Sequence, residues 1–331
     1  MSEKRPIAAP EEEKSVFAFD EDDSLSGSET SDDIVESSST KGGQKDPRNT
    51  WLRWLALMFA SFLVFGNDYC YDLPQALEFP IQKTFGVNEI EYNLLYSVYS
   101  MPNIILPFLG GYILDYFGIK FGVILYNVLI IFGQSLFVLG THINSFTLLI
   151  IGRCIFGIGA ESLNVAQSTI VNIWFKGKEL STALGISLCI CRLGSSLNSY
   201  LTPLFYEKFG SLSTASFIGF GWVAFSFMCG LALIRMDSKY LKTDKPEDVE
   251  QINCKDVKKL NPSFWLLYLN AILCFLSFFS FLNIGNKYLQ VRFRFSPVKA
   301  GGLLTIPYVT AGILTPLLSH IIDRKGKKAS L

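Results

Sequence analysis

Stretches of about 20 mostly apolar residues recur along the chain from Trp51 onward, and this recurrence limits the possible folds more than any other feature. A helix of that length rises about 30 Å, which is the thickness of the hydrocarbon core of a bilayer. Because a backbone in lipid must satisfy its own hydrogen bonds, the pattern predicts an all-α polytopic membrane protein. Eight spans are predicted, near residues 51–72, 91–114, 121–140, 146–171, 180–203, 214–236, 263–284 and 299–322.

Residues 1–50 differ in composition from the rest. They are acidic, rich in serine and poor in large apolar side chains, so they are predicted to form a disordered tail. Lysines and arginines flank the first span and no signal-peptide pattern precedes it, which predicts a cytosolic N-terminus. The basic loop at 286–301 is an exception, because eight spans threaded from the cytosol put it on the opposite side.

Soluble catalytic chemistry is not indicated. The chain has seven scattered cysteines, two histidines and no HExxH motif, and GIGAES at 157–162 only half resembles a dinucleotide loop. We therefore expect no metal site, no cofactor and no nucleic-acid partner, and an enzyme is the least expected class. No Asn-x-Ser/Thr sequon occurs.

An internal repeat relates two junctions between consecutive spans. GGYILDYFGIKFG closes the second span, and LSHIIDRKGKKAS closes the eighth, at an offset of 208 residues. The pairs that align are Asp115 with Asp323, Gly118 with Gly326 and Lys120 with Lys328. Two such junctions imply two homologous helix bundles. The acids and basic residues, with Arg324, are predicted to latch one bundle against the other on the cytosolic side; the alternative is a positive-inside turn with a capping acid.

These junctions, together with GRCIFGIG in the fourth span, resemble the motifs of the major facilitator superfamily, whose transporters have two six-helix halves. Tyr116 and Ser319 depart from its usual arginine and glycine. CYDLPQAL, LLYSVYSMPN, GRCIFGIGAESLNVAQ and WFKGKEL together resemble the lysosomal dipeptide transporters of that superfamily. The resemblance implies facilitated (uniport) export of dipeptides from the lysosome lumen to the cytosol by alternating access. It also implies a multi-pass protein of the lysosomal membrane with a glycosylated accessory membrane protein as partner.

The expected architecture follows from the repeat. A six-helix N-terminal bundle occupies 51–236, a cytosolic linker 237–262, and the first two helices of a truncated C-terminal bundle 263–331. We expect such a chain to be an incomplete product or a fragment of a longer transporter, unable to move dipeptides across a membrane alone.

Two opposite charges fall at similar depth in neighbouring spans. Glu161 lies about 15 residues, or roughly 22 Å, into the fourth span, and Arg192 about 12 residues, or roughly 18 Å, into the fifth. A charge at a helix centre costs about 2.5–3.5 kcal/mol on insertion scales, so each needs a partner or a watery cavity. The two residues form either an ion pair joining the helices or a clamp for the two ends of a zwitterionic dipeptide.

Tyrosines recur on one face of the second span. Tyr92, Tyr96 and Tyr99 are spaced at i, i+4 and i+7. Tyr96 and Tyr99 are predicted to contact the peptide, although packing or an interfacial belt also accounts for such tyrosines, Tyr92 above all.

Four further charged residues receive roles. Asp72 is assigned to an outer gate, whereas Asp68 is expected to be solvated. Arg153, eight residues before Glu161, is assigned to helix packing or gating. Lys287 either reaches the cavity mouth or snorkels to the interface.

Two other functions remain open. One is a proton-coupled carrier of another small organic solute, because a titrating Glu161 would link substrate and proton movement. The other is a non-transporting membrane scaffold.

Overall fold

The computed structural model describes residues 50–176, 179–240 and 261–325, which form helices and, within these ranges, no strand. The all-α expectation is therefore confirmed. The helices are α1 (Leu52–Tyr71), α2 (Leu73–Ala76), α3 (Glu78–Phe85), α4 (Glu89–Ser100), α5 (Leu106–Phe117), α6 (Ile119–His142), α7 (Phe146–Trp174), α8 (Leu180–Phe209), α9 (Leu212–Tyr240), α10 (Pro262–Phe293) and α11 (Pro297–Lys325). The predicted tail at 1–50, except residue 50, and most of the predicted linker at 237–262 lie outside the described residues.

Six of the described helices, α6 to α11, are long and apolar enough to cross a membrane, and the bent pair of α4 and α5 makes a seventh candidate. The first of the eight predicted spans, α1, is not among them, although it is 20 residues long. It carries Arg53 and Asp68, and it packs against α7, α8 and α9. A helix surrounded by other helices tolerates polar side chains that lipid would exclude.

The second predicted span is broken, so its prediction as one continuous helix at 91–114 is wrong. α4 ends at Ser100, a 3₁₀ turn occupies Pro102–Ile104, and α5 begins at Leu106, with a bend of 55° between the two helical parts. Pro102 and Pro107 cause the break, because proline has no backbone N–H to donate and its ring crowds the preceding turn.

Consecutive long helices run in opposite directions, which defines two sides of the bundle. We call the side on which α1 begins the N-side; α7 ends there and α8 begins there, and an ion pair of 2.7 Å joins Arg53 to Glu179. On the opposite side, Phe85 at the end of α3 packs against Phe146 at the start of α7.

The main core lies among α1, α4, α6, α7, α8 and α9 and includes the fully buried Trp174, Tyr69 and Phe137. α6 and α7 approach closely where Gly133 lies, because a Cβ there would fall 2.5 Å from the backbone nitrogen of Phe156.

The last two helices attach to this core through α11, which packs along α8. Gly301 makes the approach possible, since its position leaves no room for a Cβ beside the carbonyl oxygen of Ser199. α10 packs on α11 and touches α2, and Leu282, Leu304 and Tyr308 form a small cluster between α10 and α11.

Candidate functional site

A partly open cavity of about 550 Å³ is lined mainly by residues of α1, α4, α7, α8 and α11. This volume falls within the range of about 300–1,000 Å³ that is typical of small-molecule sites. Four charged residues line it, namely Asp68, Asp72, Glu161 and Arg192, and most of the other lining residues are amides, hydroxyls and tyrosines. The cavity is therefore suited to a polar, charged ligand.

Helix periodicity explains why these polar residues meet. Side chains three or four residues apart lie on the same face of a helix, and polar residues recur at that spacing on both walls. α7 contributes Glu161, Asn164, Gln167 and Ser168, and α8 contributes Ser187, Cys191, Arg192 and Ser195. Both sets of polar residues can be recognised in the sequence, because they lie on the same helical face as Glu161 or Arg192.

Glu161 and Arg192, the two charges predicted at similar depth, line the same cavity. The hydroxyl of Tyr99 also faces the cavity and donates a hydrogen bond of 3.0 Å to Glu161 Oε1, which orients the carboxylate. Tyr96 is not among the lining residues; it is buried, and its ring packs edge-on against that of Tyr71. Of the two predicted tyrosines, the structure brings only Tyr99 to the cavity.

Two buried amide groups on the cavity wall have an unsatisfied atom. Asn67 and Gln167 are only 3% and 6% exposed, and neither Asn67 Oδ1 nor Gln167 Nε2 has a hydrogen-bond partner among the described residues. An unsatisfied buried polar atom costs about 1–3 kcal/mol, so a polar group that reached either atom would stabilise this wall. Neither residue was predicted from the sequence to be part of the site.

Asp68, which was expected to be solvated, lines the cavity and is half-buried. Asp72 follows four residues later, directly after the end of α1, and is nearly fully buried. Its Oδ2 accepts a hydrogen bond of 3.3 Å from the hydroxyl of Tyr308 on α11. The proposed gate residue Asp72 thus bridges the first helices to the last pair, beside the cavity rather than at the outer surface.

One predicted latch residue makes a defined contact on the N-side. Asp323 Oδ2, on α11, accepts hydrogen bonds of 2.7 Å from both the backbone N–H and the hydroxyl of Thr182, so it caps the first turn of α8. Its repeat counterpart Asp115 is exposed and makes no hydrogen bond or ion pair within the described part of the chain. Gly118 has a φ of +86° in the turn between α5 and α6, where glycine is favoured, and Lys120 is half-buried beside it. Outside the described residues lie Gly326, Lys328 and the side chain of Arg324.

A second contact joins the last two helices to the first ones on the opposite side. Lys287 Nζ, near the end of α10, lies 3.3 Å from both Glu78 Oε1 and Gln82 Oε1 and also pairs with Glu89. Burial alone would lower the pKa of Lys287, but the two glutamates outweigh it and hold that pKa above its usual value. Burial raises the pKa of Glu78, and Lys287 opposes this shift.

Arg153 lies in the core rather than at the cavity. It is only 2% exposed, and its guanidinium carbon lies 4.9 Å from the ring centre of Phe137 and 5.6 Å from that of Phe156. These cation–π contacts, which form where α6 and α7 pack, favour the packing interpretation over gating.

Comparison with known proteins places this geometry in context. The family profile of the Major Facilitator Superfamily matches residues 57–331. The lysosomal dipeptide transporter MFSD1 of Danio rerio is 35% identical over 295 residues, which cover 85% of this chain and 64% of that protein. The protein of the same name from Homo sapiens is 34% identical, with 85% and 63% covered. The chain therefore spans just under two thirds of the length of these curated relatives.

Among solved structures, a bacterial homologue of the human drug peptide transporters PepT1 and PepT2 aligns with a TM-score of 0.48 and 16% identity. The alignment covers 82% of this chain and 51% of that one.

Proposed function

Because this chain belongs to the major facilitator superfamily, a family of membrane transporters, we propose that it acts in dipeptide transport and that the cavity is its substrate site. One observation carries the proposal. An acid, a base and the side-chain amides of Asn67 and Gln167 line a single cavity of about 550 Å³. This set matches the ammonium, carboxylate and peptide groups of a dipeptide.

Each group of a dipeptide has a counterpart. The carboxylate of Glu161, oriented by Tyr99, binds the ammonium end, and Arg192 binds the carboxylate end. The side-chain amides of Asn67 and Gln167 are the proposed hydrogen-bond partners of the peptide group. Substrate side chains occupy the remaining volume and make no required contact, which suits a carrier of many dipeptides.

Alternating access supplies the transport step. The last two helices contact the first ones at three levels: Asp323 with Thr182 on the N-side, Tyr308 with Asp72 beside the cavity, and Lys287 with Glu78 on the opposite side. Contacts that break and form in turn on the two sides would expose the cavity to one side at a time. We propose that the contact of Asp323 with Thr182 and the contact of Asp72 with Tyr308 break and form during this cycle.

The proposed setting is the lysosomal membrane, as the name of the MFSD1 relatives indicates for those proteins. With a cytosolic N-terminus, the N-side faces the cytosol, and export runs from the opposite side to the N-side. A glycosylated accessory membrane protein is the proposed partner, and the lack of sequons in this chain fits that dependence. Co-purification of a glycosylated membrane protein with the tagged chain from lysosomes tests both proposals.

Competition binding tests the substrate class. The purified chain in detergent is titrated with a labelled dipeptide against unlabelled dipeptides, free amino acids, tripeptides, sugars and organic anions. We expect displacement by dipeptides of different sequence and none by sugars or organic anions. Displacement by an organic anion but not by any dipeptide would overturn the proposal.

Proton exchange on binding tests uniport against proton coupling. We expect dipeptide binding in weakly buffered solution to change the bound protons by less than about half a proton per site near pH 6, as for a site that keeps its charge state. Uptake of about one proton per bound dipeptide would instead support a proton-coupled carrier.

A further inference from the structure

Arg153 is a buried charge without an acidic partner. Its side chain is 2% exposed, and arginine keeps its proton in proteins, so a full positive charge lies inside the bundle. No carboxylate lies within ion-pair distance of it in the described part of the chain. Its Nε and Nη2 atoms have no hydrogen-bond partner there either. The described residues therefore leave this charge without a counter-charge.

The contacts that Arg153 does make are weaker than an ion pair. Its guanidinium lies near the rings of Phe137 and Phe156, at 4.9 Å and 5.6 Å from their centres. Such contacts stabilise a desolvated cation, but by less than the cost of moving it from water into a protein interior. Asp72 interacts electrostatically with Arg153, but more weakly than with Arg192. A counter-charge from outside the described residues would therefore stabilise Arg153.

The hydroxyl groups of two tyrosines lie with this charge. Tyr92 and Tyr96 are one turn apart on α4, are 2% and 9% exposed, and both interact electrostatically with Arg153. Neither hydroxyl has a hydrogen-bond partner among residues 50–176, 179–240 and 261–325. A phenol can donate its hydrogen, and guanidinium nitrogens can only donate. The three side chains thus form a buried set of donors where α4 packs on α7.

We infer that Arg153, Tyr92 and Tyr96 bind a small monovalent anion of the chloride class, at a site separate from the transport cavity. A halide accepts hydrogen bonds and donates none, and it supplies the negative charge that a water molecule lacks. The burial of all three side chains favours a single-atom ion over a carboxylate or a phosphate. None of the three lines the cavity, so the inference does not rest on the proposed function.

Such an anion would also hold the helix that orients the carboxylate of the cavity. Tyr99 lies one turn beyond Tyr96 on α4, and its hydroxyl donates a hydrogen bond of 3.0 Å to Glu161 on α7. An anion shared by Arg153 and the two earlier tyrosines would join the same two helices a second time. Its binding would therefore stabilise the folded chain without contacting a substrate.

Binding of radioactive chloride to the purified chain in detergent tests the inference. Ionic strength is held constant with gluconate, which is too large for the site. We expect saturable binding of about one chloride per chain, displaced by bromide and not by gluconate, and a thermal unfolding midpoint that rises with chloride concentration. Absence of saturable chloride binding by the unmodified chain would overturn the inference.

Substitutions assign the binding to its residues. Arg153→Gln should weaken chloride binding by about tenfold or more. Tyr92→Phe and Tyr96→Phe each remove one hydroxyl and keep the ring, and each should weaken it by about threefold or more. If Arg153→Gln does not fold, the two phenylalanine variants decide, and unchanged chloride affinity in both would overturn the inference.

Two control variants separate this site from other tyrosines and from the cavity. Tyr126→Phe removes a buried hydroxyl that donates a hydrogen bond of 2.7 Å to the carbonyl oxygen of Gly110. Arg192→Ala removes the arginine that lines the cavity. Chloride affinity should stay within about twofold of that of the unmodified chain in both. Loss of chloride binding in Arg192→Ala, with binding retained in Arg153→Gln, would place the anion in the cavity and overturn the inference.

Discussion

The helices α1–α9 and the last two helices, α10 and α11, are held in the molecule in different ways. Half of the membrane-crossing window of α7 is buried, whereas 6% of that of α10 is. α1–α9 enclose a large core, but α10 and α11 share a cluster of three buried apolar residues. Among the cavity-lining residues, Tyr308 alone comes from the last two helices. The first region therefore builds most of the site, and the second is attached mainly where α11 packs along α8.

The largest expected effect comes from separating the two regions at Gly301. Gly301→Val puts side-chain atoms where the carbonyl of Ser199 lies, so α11 must move away from α8. Overpacking costs about 1–3 kcal/mol, and more where backbone atoms clash. We expect alkylation of Cys189, which lies against Gly312 of α11, to increase several-fold by mass spectrometry.

The adjacent Gly302 provides the control, because a Cβ there would meet only a ring atom of Tyr200 at 3.9 Å. Gly302→Val should leave the alkylation of Cys189 unchanged. Buried Cys70 on α1 should stay protected in both variants, because the first region keeps its own core. Exposure of Cys70 in Gly301→Val would show that the two regions unfold together, and it would contradict the claim that the first region keeps its core independently.

A smaller effect is expected at the repeated acids. Asp323→Asn weakens the cap on the first turn of α8 and should lower stability by about 0.5–2 kcal/mol. Asp115→Asn changes the matching position of the repeat, which is exposed and has no partner in the described chain, and should change stability by less than about 0.5 kcal/mol. Thermal unfolding in detergent measures both. Equal losses of stability in the two variants would contradict the assignment of the helix cap to Asp323 alone.

The smallest effect is the pH dependence of the contact between Glu78 and Lys287. Because the pKa of Glu78 in the folded chain is raised above 4.5, its contribution to stability is fully present below that value and is lost as pH rises through the raised pKa. The raised pKa of Lys287 lies above 10.5 and leaves its charge constant over this window. We expect the free energy of unfolding of the unmodified protein to fall by about 1 kcal/mol or less between pH 4 and pH 8 through this group, and that of Glu78→Gln to fall by less. An identical pH dependence in the two proteins would contradict this assignment.

Helix positions could be read from the sequence wherever apolar composition and helix length agree. Seven of the long helices lie within a few residues of their predicted starts, because lipid crossing requires long apolar runs. Two predicted spans differ from the structure at prolines. Pro102 and Pro107 break the second span. Pro203, the last residue of the fifth predicted span, lies inside α8, which continues to Phe209 because neighbouring helices support it.

The site was predictable only in part. Glu161 and Arg192 stand out because isolated charges in apolar runs require a partner or a cavity, and both line one. Asp68 lies near the predicted end of the first span, which suggested contact with bulk water, whereas α1 continues to Tyr71 and Asp68 lines the cavity. The contact between Tyr308 and Asp72 spans 236 residues of sequence, and no local pattern indicates it.

The clamp formed by Glu161 and Arg192 is the central claim, and binding of end-blocked dipeptides tests it most directly. Affinities of Ala-Ala, N-acetyl-Ala-Ala and Ala-Ala amide are compared for the unmodified chain, Glu161→Gln, Arg192→Ala and the control Glu207→Gln, which removes an exposed charge near the end of α8. We predict that the unmodified chain and the control disfavour both blocked ligands by about tenfold or more. Glu161→Gln should lose discrimination only against the acetylated ligand, and Arg192→Ala only against the amide. If both variants keep the affinity and the discrimination of the unmodified chain, the two residues do not hold the ends of a dipeptide, and an ion pair joining α7 to α8 is the better account.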